Sequence, residues 1–128
     1  DVINVSGHRL STMELESSLV KHPRIFEAAA VGIPDDLRGE AVCCFVCLKN
    51  LSEEEDFFVL RGEVIQLIRL EIGDIAKPAK IFVSDGLPKT RSGKIMRRVL
   101  KQMACGKAPT GDLTTLEDRL TLERLREI

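Results

Sequence analysis

The chain has 128 residues, a formal net charge of −1 and a charged fraction of 30%. This length suits one domain with a modest core, and near-neutral charge argues against a dedicated nucleic-acid binder, which usually carries a basic excess over the whole domain. No apolar run reaches the roughly 18 residues that a membrane span needs, so no membrane association is expected.

The N-terminal segment predicts a short strand, a turn at Gly7 and then a helix. The spacing Ser11-x-x-Glu14 matches a capping box, in which the first side chain satisfies a free backbone N–H of the helix. A Lys-His-Pro sequence at 21–23 is a stop signal and predicts the end of this helix.

Two apolar runs follow and predict a pair of strands. They cover 25–33 and 40–48, and the loop at 34–39 contains proline, aspartate and glycine, so the two strands are expected to be antiparallel neighbours. Asp35 and Asp36 in this loop are interpreted as turn residues rather than as an acid/base pair.

The cysteines are interpreted as small buried hydrophobic residues. Cys44 and Cys47 form a C-x-x-C pattern inside the second apolar run, whereas a redox pair favours a helix N-terminus and partial exposure. No second Cys/His pair at ligand spacing completes a zinc site, and no metal site is predicted. Unpaired thiols indicate a reducing compartment, so a cytoplasmic location is expected.

The second half predicts two helices around a short strand. Ser52 and Glu55 match another capping box, and apolar residues at helical spacing follow until Gly73. A strand is expected over 80–83 and a helix from about Lys94 or Met96 to Ala104.

The tail predicts a linker at 106–111 and a leucine-bearing helix that ends at Ile128. The order of elements is then β-α-β-β-α-β-α, which indicates an α+β fold: a small mixed or antiparallel sheet with helices packed on it.

A basic segment at 87–98 is the strongest chemical signal in the chain. From 86 to 111 there are seven Lys or Arg residues and no Asp or Glu, a local field that suits a phosphate or carboxylate. Lys94 directly follows Gly93, which indicates a positioned point charge. The spacing of a Walker phosphate loop is absent.

Three further residues are candidate ligand contacts. Gly7 permits close backbone approach, and Arg9 could contact a phosphate with two hydrogen bonds, although a surface turn is the commoner interpretation of this pattern. Arg69 lies near a helix C-terminus, where a cation is favourable in any case. His8 has no catalytic partner and is assigned no role.

The order of motifs resembles the C-terminal domain of AMP-forming acyl-CoA synthetases, and within that superfamily it is most similar to the acetyl-CoA synthetase branch. The resemblance covers nearly the whole chain. It rests on residues 1–16, 22–23, 27–35, 39–41, 71–73, 75–78, 87–98 and 111–118.

The resemblance implies that residues 1–128 form a single C-terminal lid domain. In such enzymes ATP and a carboxylate give an acyl adenylate, and the thiol of CoA then displaces AMP. The lid rotates between the two steps. The N-terminal adenylation domain, which holds the acyl pocket and the magnesium ion, is absent from this chain, so the fragment alone is expected to be inactive.

The resemblance also implies site residues. Lys94 matches the lysine of the adenylation step, and an acyltransferase and deacylase acting on it could switch its charge. Arg9 matches an arginine that contacts the nucleotide phosphates. CoA contacts are implied for the remaining positions, namely Val5, Ser6, Gly7 and Arg69.

Two alternatives remain open from the sequence. The first is a ligase for another short acid, such as propionate or acetoacetate. The second is a standalone domain that binds nucleic acid through residues 89–101, although the lid hypothesis expects no such binding.

Five other cations near Lys94 are expected to form supporting surface or contacts with another domain, namely Lys89, Arg91, Arg97, Arg98 and Lys101.

Overall fold

A computed structural model describes residues 1–49, 56–106 and 125–128. These residues form six strands, three α-helices and a 3-10 helix at Asp74–Ala76, so the α+β prediction is confirmed. In chain order the elements are β1 (Val2–Val5), β2 (His8–Ser11), α1 (Thr12–Leu19), β3 (Ile25–Asp35), β4 (Gly39–Leu48), α2 (Phe57–Glu71), β5 (Lys80–Ser84), α3 (Arg97–Ala104) and β6 (Arg126–Glu127).

β4 is the central strand of the sheet. It pairs antiparallel with β3 along its whole length and parallel with β5, and the β1–β2 hairpin joins it through the pair Val5–Gly39. The predicted antiparallel neighbours are therefore confirmed. The parallel pairing of β4 with β5 makes the sheet mixed, since α2 provides the crossover between them.

Both faces of the β3–β4 pair are covered, and residues alternate between the faces because successive side chains of a strand point in opposite directions. One face packs against α1 and α2, and its buried residues include Ala28, Ala30, Val42, Cys44 and Val46. The other face packs against α3, and its buried residues include Ala29, Val31, Cys43, Phe45 and Cys47. Burial on both faces explains why these strands are continuously apolar in sequence.

The positions of the cysteines exclude a C-x-x-C redox pair. Cys44 and Cys47 are three residues apart in a strand, so their thiols lie on opposite faces of the sheet. Burial raises the pKa of Cys43 and of Cys47 to about 12 and also raises the pKa of Cys44. Cys105 is exposed.

The helix caps agree with the sequence in one case and differ in the other. The Ser11 hydroxyl accepts a hydrogen bond from the backbone N–H of Glu14 at 3.3 Å, as the first capping box predicts. For α2 the cap is Asp56, whose carboxylate accepts from the N–H groups of Phe58 and Val59, both at 3.1 Å. The predicted box at Ser52 lies outside the described residues.

The C-terminal end is a strand, so the prediction of a helix reaching Ile128 is wrong there. β6 pairs antiparallel with β5, and the N–H of Ile128 donates to the carbonyl of Ile81 at 2.9 Å. The free edge of β5 offers backbone hydrogen bonds that the sequence alone does not reveal. Residues 107–124, which hold most of the predicted linker and the motif at 111–118, lie outside the described residues.

The N-terminal hairpin contains a second strand, β2, that the sequence does not predict. β2 has only four residues and none of them is fully buried, which is why the apolar pattern does not indicate it. In the described part of the chain, no helix is both long and apolar enough to cross a membrane.

The burial of the thiols makes a direct prediction. Iodoacetamide at pH 8 should alkylate Cys105 rapidly in the folded protein and leave Cys43, Cys44 and Cys47 unmodified, because alkylation requires an accessible thiolate. Peptide mapping by mass spectrometry measures this, and unfolding in guanidinium provides the positive control. Rapid modification of Cys44 or Cys47 in the folded protein would contradict the described core.

Candidate functional site

Lys94 lies in a small hairpin between β5 and α3. Lys89 and Ile95 form an antiparallel bridge. The N–H of Thr90 donates to the carbonyl of Lys94 at 2.9 Å, and the N–H of Met96 donates to the carbonyl of Pro88 at 2.8 Å. These bonds close the segment from 88 to 96, which we call the Lys94 hairpin, into a defined unit.

The tip of the Lys94 hairpin is fixed by a tight turn. The N–H of Gly93 donates to the carbonyl of Thr90 at 2.9 Å, and Gly93 has a φ of 88°, which glycine adopts without strain. The N–H of Lys94 donates to the Thr90 hydroxyl at 3.2 Å, so the backbone of Lys94 is held on both sides.

The side chain of Lys94 is exposed. Within the described residues, no carboxylate or other side chain forms an ion pair or hydrogen bond with its ammonium group. Its charge is therefore available to a group outside this structure.

Several neighbouring cations are instead neutralised within the domain. Lys89 pairs with Glu27 of β3, Arg97 pairs with Glu16 of α1 at 2.5 Å, and the Lys101 ammonium lies 3.5 Å from the Glu40 carboxylate. The basic segment is thus less basic in the fold than in the sequence, which weakens the nucleic-acid alternative because that mode of binding requires unpaired cations.

An open groove of about 670 Å³ lies beside Lys94. The hairpin forms one side, and α1 with the start of β3 forms the other. Met13 and Phe26 line it and are largely exposed. The groove is mixed in character, since Asp1, Glu16, Glu27 and Arg97 also line it. A charged lysine at its rim is suited to a ligand held jointly by another surface.

The Ser6–Gly7 turn connects β1 to β2, at the end of the N-terminal hairpin that lies away from Asp1 and Thr12. Ser6 and Gly7 have φ values of 50° and 85°, the pattern of a two-residue turn that matches strand twist. The Ser6 N–H donates to the carbonyl of Arg38 at 2.8 Å. A Cβ atom added at Gly7 would meet no atom within 4 Å, so this position faces open space.

A second cavity, of about 340 Å³, lies next to this turn. Val5 and Ser6 line it together with three cations that the sequence analysis did not single out, namely Arg38, Arg61 and Lys77. They are distant in sequence and come from different elements, since Arg38 precedes β4, Arg61 belongs to α2 and Lys77 follows the 3-10 helix, which explains why no local motif indicated them.

The other predicted CoA contacts have more restricted positions. Val5 is buried in the core, so it shapes the wall of the second cavity and presents no free side chain. The Nε group of Arg69 donates to the Asp74 carboxylate at 2.6 Å, and Asp74 lines the cavity. Arg69 itself does not line the cavity, but its ion-pair partner Asp74 does.

Arg9 is exposed on β2, opposite Asn4. It lines neither the Lys94 groove nor the second cavity in the described structure. Arg9 thus shares the hairpin of the Ser6–Gly7 turn but is not brought to the Lys94 groove. His8 is also exposed.

The two cavities share no lining residue. Asp1 and Thr12 contribute to the Lys94 groove, whereas Val5 and Ser6 contribute to the second cavity. At about 3.4 Å per residue, the intervening strand separates them by roughly 13 Å. The domain therefore presents two distinct candidate ligand faces.

No three His, Cys, Asp or Glu side chains converge as a metal site in residues 1–49, 56–106 and 125–128.

Comparison with known proteins assigns the chain to a family. The family described as AMP-binding enzyme C-terminal domain matches residues 14–94. The chain is 52% identical to an acetyl-coenzyme A synthetase of Rhodopirellula baltica, over 99% of this chain and 18% of that protein. It is 53% identical to one of Deinococcus radiodurans, over 98% of this chain and 19% of that protein.

Solved structures agree with these sequence relatives. An acyl-CoA synthetase of Brucella canis superimposes with a TM-score of 0.74 at 39% identity, covering 83% of this chain and 19% of that one. An amide bond synthetase of Marinactinospora thermotolerans gives a TM-score of 0.72 at 27% identity, covering 80% and 20%. The chain spans about a fifth of the length of the relatives it matches.

The hairpin geometry predicts the effect of a substitution at Thr90. Thr90→Val keeps the shape but removes the hydroxyl that accepts from the Lys94 N–H, and a lost hydrogen bond of this kind costs about 1 kcal/mol. We expect faster hydrogen exchange at the Lys94 amide, with strands β3 and β4 unchanged, as measured by NMR. Thr90→Ser retains the hydroxyl and should match the parent protein; equal rates in all three would remove this bond from the turn.

Proposed function

The chain belongs to the AMP-binding enzyme C-terminal domain family, and from this membership we propose that residues 1–128 are the C-terminal lid domain of an acetyl-CoA synthetase. The complete enzyme joins acetate and CoA at the expense of ATP. A carboxylate oxygen of acetate attacks the α-phosphorus of ATP and pyrophosphate leaves. The sulfur of CoA then attacks the acetyl carbon and AMP leaves.

Lys94 serves the first step in this proposal. Its ammonium lies near the acetate carboxylate and the α-phosphate, where it holds two negatively charged groups together and stabilises the charge that develops during transfer. Its exposed, unpaired position in the described structure supports this role. Acylation of Lys94 by a lysine acyltransferase would abolish the charge, and a deacylase would restore it.

The Ser6–Gly7 turn and the second cavity serve the CoA step. The turn borders the tunnel for the pantetheine arm, where the absence of a side chain at Gly7 leaves room. The CoA phosphates lie toward Arg69 and toward the cations at 38, 61 and 77, whose charges suit phosphate groups. Arg9 contacts the phosphates of the nucleotide.

The separation of the two faces is the observation that carries the proposal. No residue lines both cavities, so an orientation that brings Lys94 to the reacting phosphate leaves the Ser6–Gly7 turn roughly 13 Å away along β1. A rotation of the lid between the steps would present Lys94 first and the Ser6–Gly7 turn second. The N-terminal domain of the same protein supplies the acyl pocket and the Mg²⁺ site, and the enzyme acts in the cytoplasm.

The acid is assigned as acetate from the relatives' names, because the acyl pocket lies outside this domain. Propionate or acetoacetate is the alternative acid. Substrate profiling of the full-length enzyme decides between them: the highest kcat/KM is expected for acetate, and a clear preference for a longer acid would overturn the assignment.

A substitution at Lys94 should separate the half-reactions. In the full-length enzyme, Lys94→Ala is expected to lower the rate of ATP–pyrophosphate exchange by about 10²-fold or more, since positioned charge stabilisation contributes on that scale. Thioester formation from supplied acetyl adenylate should be largely unaffected. Equal loss in both assays would contradict the assignment of Lys94 to adenylation.

Substitutions at Gly7 should have the reverse effect. Gly7→Ala and Gly7→Leu both incur the strain of a positive φ, about 1–2 kcal/mol, and neither meets another atom of the domain at Cβ. Only leucine is large enough to fill the tunnel. Gly7→Leu should therefore abolish CoA-dependent turnover while preserving pyrophosphate exchange, and Gly7→Ala should retain more of it; normal turnover in Gly7→Leu would remove Gly7 from the tunnel.

A further inference from the structure

The carboxylate of Glu16 joins three elements of the fold. Its Oε1 atom accepts from Nη2 of Arg97 at 2.5 Å. Its Oε2 atom accepts from Nε of Arg97 at 3.0 Å and from the backbone N–H of Ala30 at 3.0 Å. One side chain of α1 thus holds the first residue of α3 and also the outer edge of β3.

This ion pair differs from an ordinary surface pair. The side chains of Glu16 and Arg97 are 14% and 28% exposed, whereas those of the Lys21–Glu71 pair are 58% and 33% exposed. The two-point contact also fixes the orientation of the guanidinium group. Removal of one partner leaves the other charge poorly solvated and unpaired, which is costly.

Arg97 lies at the base of the Lys94 hairpin. It is three residues after Lys94 and directly follows Met96, whose N–H closes the hairpin on Pro88. Met96 provides no side-chain cap for α3, so the contact with Glu16 is what anchors the start of this helix to α1. The other strand of the hairpin is anchored separately, through Lys89 and Glu27.

We propose that Glu16 and Arg97 are positioning residues for Lys94: their ion pair sets the place of the hairpin on the domain, and thereby the place of the lysine in the adenylation step. The inference rests on the proposed function of Lys94. Both residues line the Lys94 groove, but the positioning role requires neither to touch the substrates. A looser base of the hairpin would displace the Lys94 ammonium at its tip. Displacement of a reacting group by about 1 Å can cost on the order of 10²-fold in rate.

The test uses the full-length enzyme with Glu16→Gln, Arg97→Gln, the double variant and Arg97→Lys. Lys21→Gln is the control for the loss of an ion pair as such, because it breaks a more exposed pair of 2.8 Å that lies away from the hairpin. Each variant is assayed for pyrophosphate exchange and for thioester formation from supplied acetyl adenylate. Hydrogen exchange is followed in the peptides that cover 88–96 and in those that cover β3 and β4.

Positioning predicts a selective loss. Pyrophosphate exchange should fall about 10- to 100-fold in both single variants, with thioester formation unchanged within about twofold. Exchange of hairpin amides should accelerate while that of β3 and β4 does not. Arg97→Lys should recover part of the rate, and the double variant should be no worse than the poorer single one, because both remove the same pair.

A purely structural role predicts a different result. It predicts parallel loss of both half-reactions or accelerated hydrogen exchange throughout the sheet, and either result would overturn the inference. Undiminished pyrophosphate exchange in Glu16→Gln and Arg97→Gln would overturn it as well. Lys94→Ala, assayed alongside, separates the two hypotheses. If it loses adenylation selectively and the Glu16 and Arg97 variants do not, only the positioning inference fails; if Lys94→Ala spares adenylation, the proposed function itself fails.

Discussion

The antiparallel pairing of β3 with β4, buried on both faces, is the constraint on which the other features depend. Its turn brings Gly39 to Val5 and so places the Ser6–Gly7 turn beside the second cavity. Its outer edge offers the Ala30 N–H to α1, and the start of β3 offers Glu27 to the Lys94 hairpin. Because a one-residue change of register would exchange the two faces of a strand, the apolar pattern of this pair fixes both candidate sites.

Charge is distributed within this framework so that the cations at the tip of the Lys94 hairpin are left available. Glutamates at 16, 27 and 40 neutralise Arg97, Lys89 and Lys101, and each of these pairs ties this part of the chain to the sheet or to α1. In the described structure Lys94 and Arg91 lie in the hairpin, exposed and without an ion pair. The basic segment is therefore an anchored support that presents a few cations at its tip, and not a continuous positive surface.

The sequence predicts the parts of the molecule that depend on local chemistry. The continuous burial of β3 and β4, the cap at Ser11 and the turn at Gly93 all follow from residue type and spacing. It does not predict contacts made across the fold. Arg97 meets Glu16 across 81 positions, and the cations of the second cavity come from the loop before β4, from α2 and from the segment before β5. The end of the chain pairs with β5 for the same kind of reason, since a free strand edge is a property of the assembled sheet.

In the proposed function this domain offers two different faces to one reaction centre. Crystal structures of the full-length enzyme, one with a nonhydrolysable analogue of acetyl adenylate alone and one with AMP and CoA, would show which face meets the ligands in each step. We expect the Lys94 ammonium within about 3 Å of an oxygen of the analogue in the first structure, and the Ser6–Gly7 turn against the pantetheine arm in the second. The same face of the domain against the ligands in both structures would contradict it.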